Sequence, residues 1–223
     1  MAARKTTPPA KPIASTKKLT KTTSAKPKSA AVKSSSKPQK KARLLSSKLS
    51  YKGKVFDVYT DTVVEPSGIT NTRDVIRHNG SVVILAIDES KDPSDPDVIL
   101  ERQYRHAAGQ FLLELPAGRI EPNEPPLTAA RREMIEETGF RAKRWKLLTK
   151  YFASPGFLGE WMQIYLAQDI RQGEACPEAD EQIEIVRLPL SQALALIAQN
   201  KIHDGKTLIA LFLYDASRRA KQP

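Results

Sequence analysis

Acid is missing from the front of this chain. No aspartate or glutamate precedes Asp57, while residues 1–56 carry 16 lysines and arginines. The overall charge of +11 therefore misdescribes the remainder, which holds 20 basic against 25 acidic residues, a net of −5. Cysteine is almost absent. Cys176 stands alone, so no intrachain disulfide can form and a reducing compartment suits the chain. Cys176 itself reads as an inert loop residue. Long apolar runs are also lacking. The longest, VVILAI from Val82 and ALALIA from Ala193, fall far short of the ~20 residues that span a bilayer. No apolar core of the secretory kind precedes them. These absences argue against a helical membrane protein and a disulfide-built scaffold.

What the front does contain is lysine, serine, threonine, alanine and proline. Such a composition buries too little apolar surface to offset the entropy of ordering, so residues 1–44 are expected to be a disordered basic tail. Three roles stay open for it. It could touch nucleic acid or another polyanion through charge alone. It could direct organelle import, although lysine outnumbers arginine and its prolines break helices. It could simply solubilise. A cytoplasmic location is expected, with organelle import the lesser alternative.

The body reads as mixed α/β. Residues 45–78 are expected to form an antiparallel β segment, with a strand over Val55–Val64, a turn at Glu65–Gly68 and a strand over Thr72–His78. Asn79-Gly80 carries a hairpin signal. A second domain is expected over residues 79–219, with strands at Ser81–Ile87, Val98–Tyr104, Phe111–Leu115, Trp145–Ala153, Trp161–Ala167 and Ile183–Leu188. Glu89–Asp97 and residues 171–182 read as loops. Ser191 is placed to cap a helix reaching Asn200, and a last helix covers Lys206–Arg219.

The densest chemistry lies in Gly118–Phe140, GRIEPNEPPLTAARREMIEETGF. Pro125 and Pro126 suit a helix entry, where a missing N–H has no partner to lose. Leu127, Ala130 and Met134 repeat with helical period. Gly139 is a natural left-handed stop. At about 100° per residue, Glu133, Glu136 and Glu137 share an arc of about 100°. Arg132 can pair with Glu136 one turn on. Carboxylates so close repel each other, and Mg2+, which takes oxygen ligands and is commonly shared with substrate phosphates, is the natural neutraliser.

The window fits G-x5-E-x7-R-E-U-x-E-E-x-G-U, with U a bulky apolar residue, at every fixed position. It resembles the signature of the Nudix hydrolases. The resemblance implies a Nudix-type α/β/α sandwich with a mixed sheet, preceded by the small antiparallel β segment and the tail. It implies Mg2+, or Mn2+ in its place, with more than one ion. Glu133, Glu137 and the carbonyl of Ala117 would be metal ligands, and Glu136 a ligand or a partner of one. Glu124, Arg132, Gly118 and Gly139 would be structural.

Further segments resemble the ADP-ribose and nucleoside diphosphate sugar branch of that family. Pro155 lies sixteen residues after Gly139, within SPGFLGE, and Glu160 would contact ribose hydroxyls. The acidic EADEQIE segment from Glu178 resembles the loop that supplies the catalytic carboxylate. Glu181 holds that position and is also a candidate metal ligand, with Glu178, Asp180 and Glu184 in reserve. Ala179 stands where some relatives have a second acid, which leaves the division between base and ligand open. Arg105 and Arg73 match substrate-arginine positions. Phe56, Tyr59 and Tyr104 are candidate adenine contacts, and the segment from His203 to Thr207 reads as helix-start packing.

The expected activity is hydrolysis of ADP-ribose to AMP and ribose 5-phosphate by a homodimer whose β segments cross. Alternatives are another nucleoside diphosphate sugar, an oxidised nucleotide, or a non-catalytic nucleotide- or RNA-binding protein.

Overall fold

Burial of one strand organises the molecule. In β4 (Ser81–Asp88), Val82, Ile84 and Ala86 face one apolar cluster while Val83, Leu85 and Ile87 face another. A strand apolar on both sides must be covered on both sides. Each valine, leucine or isoleucine among them contributes on the order of 2 kcal/mol by leaving water. The computed structural model describes residues 40–175 and 182–220.

Seven strands make the main sheet. Its path runs β10 (Ile183–Pro189), β5 (Asp97–Arg105), β4, β9 (Trp161–Gln172), β8 (Phe140–Phe152), with β6 (Gln110–Glu114) beside β5 and β7 (Ala117–Arg119) beside β4. The β4–β9 pair is parallel and the other pairings are antiparallel, so the sheet is mixed. Helix α1 (Pro126–Thr138) supplies Ala129, Ala130 and Met134 to one face. Helices α2 (Leu190–Ala198) and α3 (Gly205–Arg219) supply Ala193, Ala210, Leu211 and Tyr214 to the other. This is the expected α/β/α sandwich. A separate antiparallel sheet, β1 (Arg43–Lys52), β2 (Asp57–Val64) and β3 (Thr70–Ile76), precedes it.

Two local expectations are corrected. Asn79-Gly80 is not a hairpin turn, because β3 pairs with β2 while β4 pairs with β5, β7 and β9. The dipeptide carries the chain from one sheet to the other. Gly80 has φ +96°, and a Cβ there would lie 2.7 Å from Trp161 Nε1. Close approach of the indole, together with the left-handed backbone, explains the glycine. Ser191 does not cap its helix. Asp95 of the preceding loop does so from outside, accepting from Ser191 N at 2.8 Å and Ser191 Oγ at 2.6 Å.

Within the β segment expected over residues 45–78, β1 was not picked out as a separate strand. Its residues, RLLSSKLSYK, are all exposed, and it opens at Arg43, within the stretch assigned to the tail. β8 starts directly at Phe140, because Gly139 (φ +72°) ends α1 with its N–H on Ile135 O and turns the chain at once.

Candidate active site

The turn between β6 and α1 sets the site. Leu115 N donates to Thr207 Oγ1 at 2.8 Å, and Ala117 N donates to Glu137 Oε2 at 3.0 Å. The first contact ties the turn to α3 and the second to α1. Glu137 is only 6% exposed, so this N–H fixes a carboxylate that is mostly out of water. Glu133, one turn earlier, lies directly over Gly118. A Cβ at that position would fall 1.9 Å from Glu133 Cδ. Only glycine lets backbone and carboxylate meet there.

Arg132 binds the window together. Its Nε and Nη2 take both oxygens of Glu124 at 3.1 Å, Nη2 also reaches Arg119 O at 3.1 Å, and Nη1 takes Glu133 at 2.8 Å and Glu136 at 2.9 Å. The Glu124 hydrogen bonds, then the charges of Glu133 and Glu136, outweigh burial and raise the Arg132 pKa well above the ordinary guanidinium value. In return, the Arg132 hydrogen bonds hold Glu124 below the usual carboxylate range. Glu121 N also bonds Glu124, at 3.1 Å. The fork-to-carboxylate geometry explains why this position takes arginine.

These groups open onto a cavity of about 640 Å3. Glu133, Glu137 and Glu160 line it, as do Arg105, Arg119 and Lys206. Arg105 Nε is seated on Glu114 Oε1 at 2.7 Å. Burial opposes its charge, but the hydrogen bond and charge of Glu114, with Glu101 and Glu137 nearby, hold its pKa above the ordinary value. Lys206 reaches the second oxygen of Glu114 and lies 3.1 Å from Asp204 Oδ1. Asp204 caps α3, accepting from Thr207 N at 3.0 Å. The segment from His203 to Thr207 is thus helix-start packing as expected, and it also delivers a cation to the cavity.

Glu160 stands at the mouth of β9. Ser81 Oγ donates to its Oε1 at 2.6 Å. His78 Nδ1 lies 3.9 Å from the same oxygen, but that nitrogen already accepts from Gly80 N at 3.0 Å. Burial first, then the charges of Asp204 and Glu160, push the Tyr151 phenol up to about 12. It stays a donor, to Met162 Sδ at 3.0 Å.

The remaining expected residues lie elsewhere. Glu136 is 40% exposed and outside the cavity lining, with its carboxylate on Arg132. Arg73 sits on β3, paired with Glu65 at 2.7 Å and outside the lining within its own chain. Glu184 is on β10, 3.6 Å from Arg102. Glu178, Asp180 and Glu181 fall outside the described residues. Phe56 borders a small hollow of about 150 Å3 beside Arg119. Arg77 covers the Tyr59 ring at 4.2 Å, and Tyr104 packs edge-on to Phe111 at 5.3 Å. Sequence reasoning missed Ser81, Arg119 and Lys206 as cavity residues. Their signal is tertiary, since each comes from an element remote from or peripheral to the helix.

The donor set suits a hard divalent ion. Glu133 and Glu137 bring carboxylate oxygens to the Ala117–Gly118 backbone, where Gly118 leaves no side chain in the way of Glu133. Among the described residues, no three His, Cys, Asp or Glu side chains form a complete metal cluster. Backbone and substrate oxygens would have to complete the shell of an ion held there.

Fold and site together define an α/β sandwich whose carboxylate-bearing helix lines a cavity of small-molecule size. The NUDIX domain profile matches residues 77–211, and the chain belongs to that family. Members of the family generally use divalent metals. The chain is 35% identical over 164 residues to an ADP-ribose pyrophosphatase of Bacillus subtilis, covering 72% of this chain and 85% of that one. It is 36% identical over 163 residues to a GDP-mannose pyrophosphatase of Citrobacter koseri, covering 65% and 82%. The crystal structure of an ADP compounds hydrolase shares the fold, with TM-score 0.70 and 24% identity over 83% of this chain and 98% of that one.

Proposed function

We propose that the protein hydrolyses the diphosphate bridge of ADP-ribose to AMP and ribose 5-phosphate, with Mg2+ as cofactor and Mn2+ as a substitute. The observation that carries this reading is the meeting of Glu133 and Glu137 with Ala117–Gly118 in a cavity shared with Arg105, Lys206 and Glu160.

A diphosphate resists attack because its oxygens repel nucleophiles. Ions held by Glu133, Glu137 and the Ala117 carbonyl would neutralise those oxygens and lower the pKa of a bound water. The chain's own groups do the rest. Arg105, oriented by Glu114, offers N–H donors to phosphate oxygens, and Lys206 adds a point charge beside it. Arg132 holds Glu133 and Glu136 in place by hydrogen bonds. Water adds to one phosphorus, the bridging P–O bond breaks, and the proton passes to a carboxylate. Glu181 is assigned that role by resemblance. Glu160 accepts from the sugar hydroxyls.

Two features of the wider chain fit the same reading. The exposed sheet β1–β3 carries Leu44, Leu45, Leu49 and Tyr51, each at least 44% exposed, and is assigned to a homodimer interface in which Arg73 serves the partner's cavity. The basic tail is assigned no part in the chemistry.

A second reading within the same chemistry, another nucleoside diphosphate sugar, is favoured by the GDP-mannose pyrophosphatase among the relatives. A non-catalytic binder is disfavoured because every fixed residue of the signature is present. A substrate panel tests the choice. Purified protein with Mg2+ is offered ADP-ribose, diphosphate hexoses, dinucleoside polyphosphates and oxidised nucleoside triphosphates. Turnover of ADP-ribose that stops on chelation is expected, and indifference to ADP-ribose refutes the substrate assignment.

A further inference from the structure

Glu160 is more firmly mounted than a surface carboxylate needs to be. Its loop is fastened to the end of β3 by Ile76, whose N–H donates to Phe157 O at 2.8 Å and whose carbonyl accepts from Gly159 N at 2.8 Å. Its own carbonyl accepts from Ala153 N at 3.1 Å. Its side chain then meets Ser81, which is 5% exposed and lines the same cavity. Ser81 comes from the first position of β4, the most buried strand of the sheet, so its Cβ direction is fixed by the core.

The Ser81 hydroxyl has one hydrogen, and Glu160 Oε1 takes it at 2.6 Å. Two consequences follow from that single proton. Glu160 loses rotamer freedom, and Oε2 is held at a set angle to the cavity. Ser81 Oγ is left with acceptor capacity of its own, polarised by the bond it donates. Glu160 and Ser81 thus form a pair of adjacent acceptors with no donor to offer. That pattern complements two neighbouring hydroxyls on a ligand. It opposes a ligand bearing a phosphate or carboxylate at the same place, which would meet the Glu160 charge.

We propose that Ser81 is a positioning residue that sets Glu160 to read a vicinal diol on the distal sugar, making this end of the cavity selective for a sugar whose diol is unsubstituted. The inference rests on the proposed function, since it assigns the sugar end of that site. Ser81 acts through Glu160 and takes no part in the bond-breaking step.

The test is a double-variant cycle on the full chain, read as KM and kcat separately. Ser81→Ala removes one oxygen from a tight place and leaves the strand intact. It is expected to raise KM for ADP-ribose about tenfold, the scale of one hydrogen bond to a charged group, with kcat changed less than threefold. For an analogue whose distal ribose lacks one hydroxyl of the diol, the Ser81→Ala effect is expected to shrink below threefold. In a Glu160→Ala background Ser81→Ala should add nothing. A loss of kcat in Ser81→Ala, a loss of equal size for both substrates, or additive effects in the Glu160→Ala background would overturn the assignment. If the unaltered protein turns over no nucleotide sugar with a free diol, the proposed function fails, and this inference fails with it. If it does, and Ser81→Ala leaves KM unmoved, only this inference fails.

Discussion

At the residue scale, one glycine and one arginine set where the acids of the site can sit. Gly118 admits the Glu133 carboxylate to a position a methyl group would occupy. Gly118→Ala should therefore lower turnover about 100-fold by displacing Glu133, the proposed metal ligand, while circular dichroism stays native. Near-normal activity would mean that Glu133 is free to sit elsewhere. Arg132 holds Glu124 ionised below its ordinary range. A carboxylate with a depressed folded pKa contributes stability that is full above its unfolded value, about 4.3, and is lost as pH falls through the folded one. Melting temperatures of the unaltered protein and Glu124→Gln should differ at neutral pH and converge in acid below that range. A constant gap across the titration would contradict the pairing. The spacing of Gly118, Glu124, Arg132, Glu133, Glu136, Glu137 and Gly139 made most of this legible beforehand, because it is contiguous chemistry on one helix and its entry turn. Ser81 and Lys206 were illegible, since nothing local to either residue says that β4 and α3 begin beside the same cavity.

At the scale of elements, local patterns held where burial agreed with them and failed where a distant partner intervened. Helix α1 matched its prolines and Gly139 because its cap geometry is local. β4 matched because a fully apolar run has to be buried. Asn79-Gly80 reads as a hairpin, yet Ser81 pairs with Arg119 and Met162, far along the chain, and the glycine serves the Trp161 ring. β1 escaped notice because an exposed strand carries no apolar alternation. The cap of α2 escaped because its donor-satisfying carboxylate, Asp95, lies 96 residues before Ser191. Asp95→Ala should destabilise the fold by about 1 kcal/mol, the typical worth of a cap, measured by urea unfolding, without altering KM. No change in the unfolding midpoint would show that water replaces Asp95 at no loss.

At the scale of the whole molecule, every described site residue falls within the compact unit from Lys40 onward. Removing residues 1–39 is expected to leave kcat and KM for ADP-ribose within twofold. Loss of activity in that truncation would give the basic segment a catalytic role. The exposed β1–β3 sheet predicts a particle of twice 24.8 kDa by light scattering, falling toward monomer when Leu44, Leu45 and Leu49 are replaced by serine. A monomeric unaltered protein would remove Arg73 from any cavity. The central claim is that Glu133 and Glu137 gather a divalent ion against a bound diphosphate, and Mn2+ binding followed by calorimetry tests it most directly. The unaltered protein should take up Mn2+, more tightly when a non-hydrolysable methylene analogue of ADP-ribose is present, and Glu137→Gln should bind it at least tenfold more weakly. Equal Mn2+ affinity in the two proteins, or no uptake by the unaltered one with the analogue bound, would contradict the account.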